Sequence, residues 1–512
     1  MKQKIQNLEN LEILFSKLKS EGKKIVHCHG VFDLLHVGHI KHFKEAKTFG
    51  DILVVSITPD EFVHKGPGRP AFSTSLRLEA LSELESVDYV VANNWPTAIE
   101  IIKIIQPNVY CKGPDYKNHS DDLTGKISEE EDAVKSIGGK IIYTNDITFS
   151  SSSLLNKFGN IYSKKQELFI RNIGDKDSFE MIQKKVEDIS KLNVLVIGET
   201  IIDQYVFCEA LGKSGKEPVL VLRDLETQEY LGGSLAIARH LSSFCKNVSV
   251  LSFLGKDNEY KSFIENNIEE NIILNFLNKS NSPTIVKRRF VDNIDRKKVL
   301  GVYSINDDML NESEEAKFIQ SFDKLSKEHD LVIVSDYGHG VITPKIADHI
   351  SNSDKFVSLN AQVNAANIGT HNIRKYHNVN CLIINESELC HELRQRDGNV
   401  EEMAVTLQDM ISSKYIAVTQ GKIGAFLIKN NKNPERCPGF AAQVIDKIGS
   451  GDALLALLSV CLYSNLDEKL SLFIGSLAAA QSVETVGNSV PVSKLKLLKT
   501  ISSNNSKPFT KF

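Results

Sequence analysis

The feature that most constrains this chain is a pattern that runs twice. Short apolar segments of strand length alternate with helix-length amphipathic segments, stop, and start again. In the first half the apolar segments are KIVHCHG (24–30), DILVVSIT (51–58), VDYVVA (87–92), NVYCKG (108–113) and KIIYT (140–144). Helical patterns lie between them at 37–49, where Ile40, Phe43 and Ala46 share a face, and at 76–85. A polar stretch near 156–192 reads as a linker followed by a lead-in helix. The pattern then resumes with NVLVIGETIID (193–203), a Gly-Gly turn at 232–233, NVSVLSFLG, DLVIVSDYG, FVSLN, CLIIN, YIAVTQG and GAFLI. Strands alternating with helices predict a parallel sheet flanked by helices. Two such series predict two α/β domains, over 1–158 and 193–512, joined by 159–192. A chain of 512 residues is also too long for one ordinary core.

Composition narrows the class. Hydrophobic residues make up 41% and charged residues 25%, as in a globular enzyme, and a formal net charge of −4 gives no global basic field for nucleic acid. The first residues lack a signal-peptide core, and no apolar run approaches a membrane span, so a cytoplasmic location is expected. The eight cysteines include no CxxC pair, which predicts reduced, buried thiols and no zinc or redox motif.

HGVFDLLHVGH (29–39) follows a predicted strand and ends at a predicted helix start. Backbone N–H groups at a helix N-terminus bind anions, and two imidazoles there can stabilise charge in phosphoryl chemistry. Gly38 lets a backbone approach closely. Two packed histidines are the alternative for an isolated HxGH.

The stretch resembles the GxFDxxHxGH signature of the cytidylyltransferase-like nucleotidyltransferases. KGPGRP (65–70), the 75–91 run, PNVYCKGPDY (107–116) and FSSSSLL (149–155) resemble corresponding parts of the transferase domain of bifunctional ADP-heptose synthases. The resemblance implies a Rossmann-like fold. It also implies that His36, His39 and Lys112 are catalytic, and that Gly30, Phe32, Asp33, Gly38, Arg77, Ser150, Ser151 and Ser152 bind nucleotide. Lys65, Arg69, Asp115 and Tyr116 would bind the acceptor. A flexible linker is the alternative for the serine run, and a solvated loop for Lys65 and Arg69. His42 and His64 read as surface residues, and His29 as unassigned.

In the second half, VIDKIGSGDALLALL (444–458) reads as a short strand ending at Asp446, a glycine-bracketed turn, and an apolar helix. Such a turn forms an anion hole, and Asp452 stands where a carboxylate can take a proton from an attacking hydroxyl. A simple capping aspartate is the alternative. The stretch resembles the second signature of the ribokinase-like (PfkB) sugar kinases. LGGSLAIARHL (231–241), SDYGHG (335–340), NESE (385–388) and VTQGKIG (418–424) resemble further segments of that family. The resemblance implies a ribokinase-like domain with Asp452 as catalytic base. Gly449, Ser450, Gly451, Asn385, Thr419, Gly421 and Gly424 would lie on the nucleotide. Asp203, Gly232, Gly233, Lys287 and Arg289 would lie on the sugar, and Glu388 on the metal. Three departures stand on the sugar side: Ala236 replaces an asparagine, Asn360 an acid and His339 a lysine.

Together the resemblances imply a bifunctional enzyme of nucleotide-activated sugar synthesis that uses Mg2+ and ATP or CTP. Its partners would be a sugar phosphate and a nucleoside triphosphate, with a homodimer implied by resemblance only. Its domains would stand in the reverse of the familiar ADP-heptose synthase order. The alternative is a cytidylyltransferase for another polyol phosphate with a divergent, non-catalytic kinase-like half.

Overall fold

A computed structural model describes residues 4–63, 70–113, 126–144, 162–176, 178–369, 372–430 and 432–504. The chain divides into two compact units, 1–163 with 498–512, and 164–497.

The first unit is built on a six-stranded parallel sheet. Its spatial order is Ile5–Gln6, Tyr89–Ala92, Ile52–Ile57, Ile25–Gly30, Val109–Lys112, Lys140–Tyr143. The strands are continuous apolar runs because both faces are covered. One face packs Phe15, Ile101, Ile102 and Ile105, the other Phe43, Leu81 and Val87. Ile25–Gly30 comes early in the chain yet lies mid-sheet, with later strands on both sides. The strand order therefore reverses between it and Val109–Lys112. A crevice opens at the carboxyl ends of strands at such a switch point.

The second unit has a nine-stranded sheet. Its order is Ile272–Asn278, Asn247–Leu254, Asn193–Gly198, Leu331–Asp336, Phe356–Ala361, Cys381–Asn385, Tyr415–Thr419, Gly424–Lys429, Glu435–Pro438. Only the last two pairings, on either side of Gly424–Lys429, are antiparallel. The switch point lies between Asn193–Gly198 and Leu331–Asp336. There the backbones approach so closely that a Cβ on Gly198 would sit 2.1 Å from the Ser335 carbonyl oxygen.

Three features differ from the sequence reading. A separate four-stranded sheet, ordered Lys298–Ser304, Ile285–Asp292, Thr200–Lys213, Leu220–Gly233, has no counterpart in it. Its outer half is almost wholly exposed, so it carries no apolar alternation to read. The stretch read as linker and lead-in helix holds two helices, Lys164–Lys176 and Phe179–Ile189. The first belongs to the second unit, where Phe169 packs against Phe440 and Phe473. The short strand expected to end at Asp446 does not form. That segment is fixed instead by the Asp446 carboxylate, which accepts from the Tyr205 hydroxyl (2.7 Å) and the Gly487 N–H (3.2 Å). Among the described residues, no helix is long and apolar enough to cross a membrane.

Candidate active sites

At the first switch point the helix Val37–Lys47 begins with His36 as its N-cap. The His36 and His39 rings stack with centroids 3.8 Å apart. Phe32 meets His39 edge-on at 5.3 Å and Phe43 at 5.0 Å. Phe32 takes a positive φ of 48°, and its ring would stand 2.9 Å from a Cβ on Gly30. Gly30 and Phe32 thus act as a pair. The glycine makes room for a ring that props His39. Asp33 is buried and accepts from the Phe72 N–H at 3.1 Å, which ties the loop to the segment before the next helix. Gly38 is buried in the first helical turn.

Arg77 is among the largest fully buried side chains. It donates to the carbonyls of Phe72 (3.0 Å), Val31 (2.6 Å) and Thr58 (2.9 Å), and also to Asp60 and Thr74. Its guanidinium fork holds the loop from inside, so the position expected on nucleotide serves as an internal clamp. Lys112 ends the strand Val109–Lys112, and its buried ammonium pairs with Glu130 at 2.6 Å. The Tyr110 hydroxyl donates to the same carboxylate oxygen at 3.0 Å. His29 lies within 2.8 Å of the Ser56 hydroxyl, which also bonds His27. His42, expected on the surface, is half-buried and bonds the Thr144 hydroxyl at 3.0 Å. Lys65, Arg69, Asp115, Tyr116, Ser150, Ser151 and Ser152 lie outside the described residues, as does His64.

In the second unit the helix Ser450–Tyr463 starts from Gly449 at φ +89°. A Cβ on Gly449 would stand 1.9 Å from Asn488 Oδ1, whereas one on Gly451 would meet nothing within 4 Å. The glycine turn is thus closed behind and open in front. Ser450 turns its hydroxyl back to the Lys447 carbonyl at 3.1 Å. Asp452, in the first turn, is buried and accepts from the Tyr337 hydroxyl at 2.8 Å. Burial pushes its carboxyl up to about 7. The Tyr337 bond and Lys287 pull it down, and Asp203 and Glu388 push it up.

Tyr337 follows the strand Leu331–Asp336 and is held from several sides. Its N–H donates to Glu199 Oε2 at 2.9 Å, and its carbonyl accepts from Asn364 (2.7 Å) and Asn367 (2.9 Å). Glu199 Oε1 takes the His339 N–H at 3.0 Å, so one buried carboxylate spans the switch point. Burial pushes Glu199 up to about 7 as well, aided by Asp336.

Facing this cluster, Asp203 pairs with Arg289 across adjacent strands of the smaller sheet. A Cβ on Gly232 would stand 2.4 Å from Asp203 Oδ2, and Gly233, at φ +61°, begins the next helix. Lys287 is buried over the rings of Tyr303 and Tyr337, its ammonium held below the usual lysine range by burial. Ala236 is buried in the helix Ser234–Ser242 and offers no polar group.

The Asn385–Glu388 pair is a capping box. Each side chain accepts the other's backbone N–H, at 2.8 and 3.0 Å, at the start of the helix Glu386–Leu393. Glu388 is buried and pushed up to about 7 by that burial. Thr419 ends a strand, Gly421 opens the following turn at φ +57°, and Gly424 begins the antiparallel return. Glu199 and Tyr337 were given no role in the sequence reading, although Tyr337 lies in the SDYGHG stretch and each directly follows an apolar strand.

Comparison with known proteins agrees with this division. Residues 191–495 match the model of the pfkB family carbohydrate kinase, and residues 27–158 match the cytidylyltransferase-like model. The order along this chain is therefore transferase-like first and kinase-like second. The reversal relative to ADP-heptose synthases expected from the sequence is not supported by these comparisons. A bifunctional protein HldE from Aliarcobacter butzleri is 43% identical over 139 residues, 27% of this chain and 29% of that protein. Its counterpart from Campylobacter jejuni (strain RM1221) is 27% identical over 316 residues, 61% of this chain and 66% of that protein. Each aligned stretch spans less than two thirds of the relative's own length. Phosphofructokinase-2 from Escherichia coli in complex with fructose-6-phosphate superposes with a TM-score of 0.49 and 15% identity, covering 61% of this chain and 98% of that one.

Proposed function

Because the chain belongs to the pfkB family of carbohydrate kinases, we propose that its second unit transfers a phosphoryl group to a sugar or sugar phosphate. Its first unit then joins a nucleotidyl group from ATP or CTP to the resulting sugar phosphate. The observation that carries this reading is Asp452. It is a buried carboxylate poised near neutrality, at the start of a helix whose glycine turn is open in front. In the kinase step an acceptor hydroxyl oxygen attacks the terminal phosphorus, Asp452 takes the proton, and the bond to the leaving diphosphate breaks. The N–H groups of the 449–451 turn receive the charge that develops on the phosphoryl oxygens. Lys287, Arg289 and Asp203 orient the acceptor.

A magnesium ion is implied by this chemistry. Glu388, a buried carboxylate with one oxygen taken up by the Asn385 N–H, is the oxygen donor that would hold it. When bound, magnesium offsets the charge of the polyphosphate. In the transferase step an acceptor phosphate oxygen attacks the α-phosphorus and pyrophosphate leaves. His36 and His39, at the helix start, stabilise the charge on the oxygens around it.

Products of this kind feed surface polysaccharide assembly. The acceptor is a heptose-like sugar or sugar phosphate, and the apolar Ala236, standing where the family places an asparagine on the sugar, sets this site apart on that side. The deciding experiment is a pyrophosphate-release screen of ATP, CTP, GTP and UTP against sugar and polyol phosphates, run beside an assay for diphosphate formation from ATP. If no sugar supports phosphoryl transfer that Asp452→Asn abolishes, the kinase assignment falls. Pyrophosphate release untouched by His36→Ala removes the transferase assignment.

A further inference from the structure

The sequence reading set the cysteines aside because none lies close to another along the chain. The fold reverses that for one pair. Cys28, in the middle of the strand Ile25–Gly30, and Cys111, in Val109–Lys112, are direct cross-strand partners at the switch point. His42, on the helix Val37–Lys47, lies over them. The donor atoms of Cys28, His42 and Cys111 all lie within 4.8 Å of one another, and no other such group forms among the described residues.

We propose that Cys28, Cys111 and His42 form a binding site for a thiophilic divalent metal ion, Zn2+ or a chemical equivalent. Two thiolates and an imidazole are the donor types zinc selects, and water supplies the fourth position. The surroundings prepare the imidazole. The Thr144 hydroxyl donates to the Lys112 carbonyl at 3.4 Å, so its oxygen is left to accept the His42 Nδ1–H at 3.0 Å.

Both thiols are buried. Binding converts two S–H groups into two metal–sulfur bonds and releases two protons, with no change in oxidation state. The nearby cation, the Lys112 ammonium, is paired with Glu130 and does not stand as an isolated positive charge. An ion here would fasten the helix that carries His36 and His39 to the strand that carries Lys112. It would lie behind the nucleotidyl-transfer residues, and it is distinct from the magnesium that accompanies a triphosphate.

The test uses the full chain, stripped with a chelator and titrated with Co2+. The expected result is one Co2+ per chain with a sulfur-to-cobalt charge-transfer band, bleached by stoichiometric Zn2+. The band should be lost in Cys28→Ala and in Cys111→Ala. X-ray absorption on the zinc-loaded wild-type chain reads the donors without any substitution, and should show two sulfurs at about 2.3 Å and one imidazole nitrogen. A wild-type chain that gives no thiolate–cobalt band overturns the proposal. So does a band that survives both substitutions, or a Cys28–Cys111 disulfide in the protein as isolated.

Discussion

The Tyr337 hydroxyl donates a 2.8 Å hydrogen bond to Asp452 Oδ1, inside a pocket where both groups are buried. This bond favours the charged carboxylate, against the burial that disfavours it. The tyrosine therefore sets the pH at which Asp452, the base proposed above, would act. Removing it in Tyr337→Phe should move the acidic limb of the kinase pH–rate profile upward by about one unit, and lower the rate at neutrality about fivefold. A profile that keeps its limb while the rate falls would assign Tyr337 to packing alone.

Asp452→Asn should lower phosphoryl transfer by about 10²–10⁴-fold while leaving pyrophosphate release intact. The same variant has a stability signature. The folded-state value near 7 lies above the ordinary 3.8, so the native state holds its proton longer than the unfolded chain. Stability is then fully present below pH ~4 and is lost as pH rises to about 7. Denaturant midpoints measured across that range should fall less steeply for Asp452→Asn than for the wild type.

Gly449 and Gly451 should respond differently to the same change. An alanine at 449 must take φ +89° with its Cβ 1.9 Å from Asn488 Oδ1, so unfolding should become easier by about 1–3 kcal/mol or more. At 451 a Cβ meets nothing within 4 Å, and stability should hold or rise slightly. What Gly451→Ala should lose is nucleotide affinity, read as a higher KM for ATP.

His36→Ala and His39→Ala should each reduce pyrophosphate release by about 10²–10³-fold, with diphosphate formation from ATP unchanged. Phe32→Leu should weaken the same reaction less. It removes the ring that meets His39 edge-on but no donor.

Arg77→Lys tests whether the buried guanidinium binds substrate or holds the loop. A lysine cannot reproduce donation to three carbonyls and a carboxylate, so stability should fall by about 2–5 kcal/mol. Full stability with a raised nucleotide KM would place Arg77 at the phosphates after all.

What was legible in the sequence follows from what each signal depends on. The apolar runs exposed the two parallel sheets, because a strand covered on both faces needs no alternation. His36, His39 and Asp452 were readable because helix starts are local. Lys287 and Arg289 were readable only through resemblance, and the strand that carries them lies in a sheet the apolar pattern did not reveal. The Asn385–Glu388 spacing is identical for a metal pair and a capping box, so sequence could not expose the box. The Cys28–Cys111 contact depends on strand register, which joins residues far apart along the chain. Tyr337 looked ordinary because its importance comes from partners in three separate segments, at 199, 364–367 and 452.

Those partners place a limit on how the kinase half can change. Asn364 and Asn367 follow Asn360, a position that departs from the family, and such departures suggest latitude. Yet both asparagines grip the Tyr337 carbonyl, and Tyr337 grips Asp452. The loop and the proposed base therefore share one mechanical train. A lineage could not exchange its acceptor by rewriting that loop alone, since each edit would reach the base through the tyrosine. Changes there should be inherited as sets, with Glu199 and the two asparagines moving together or not at all.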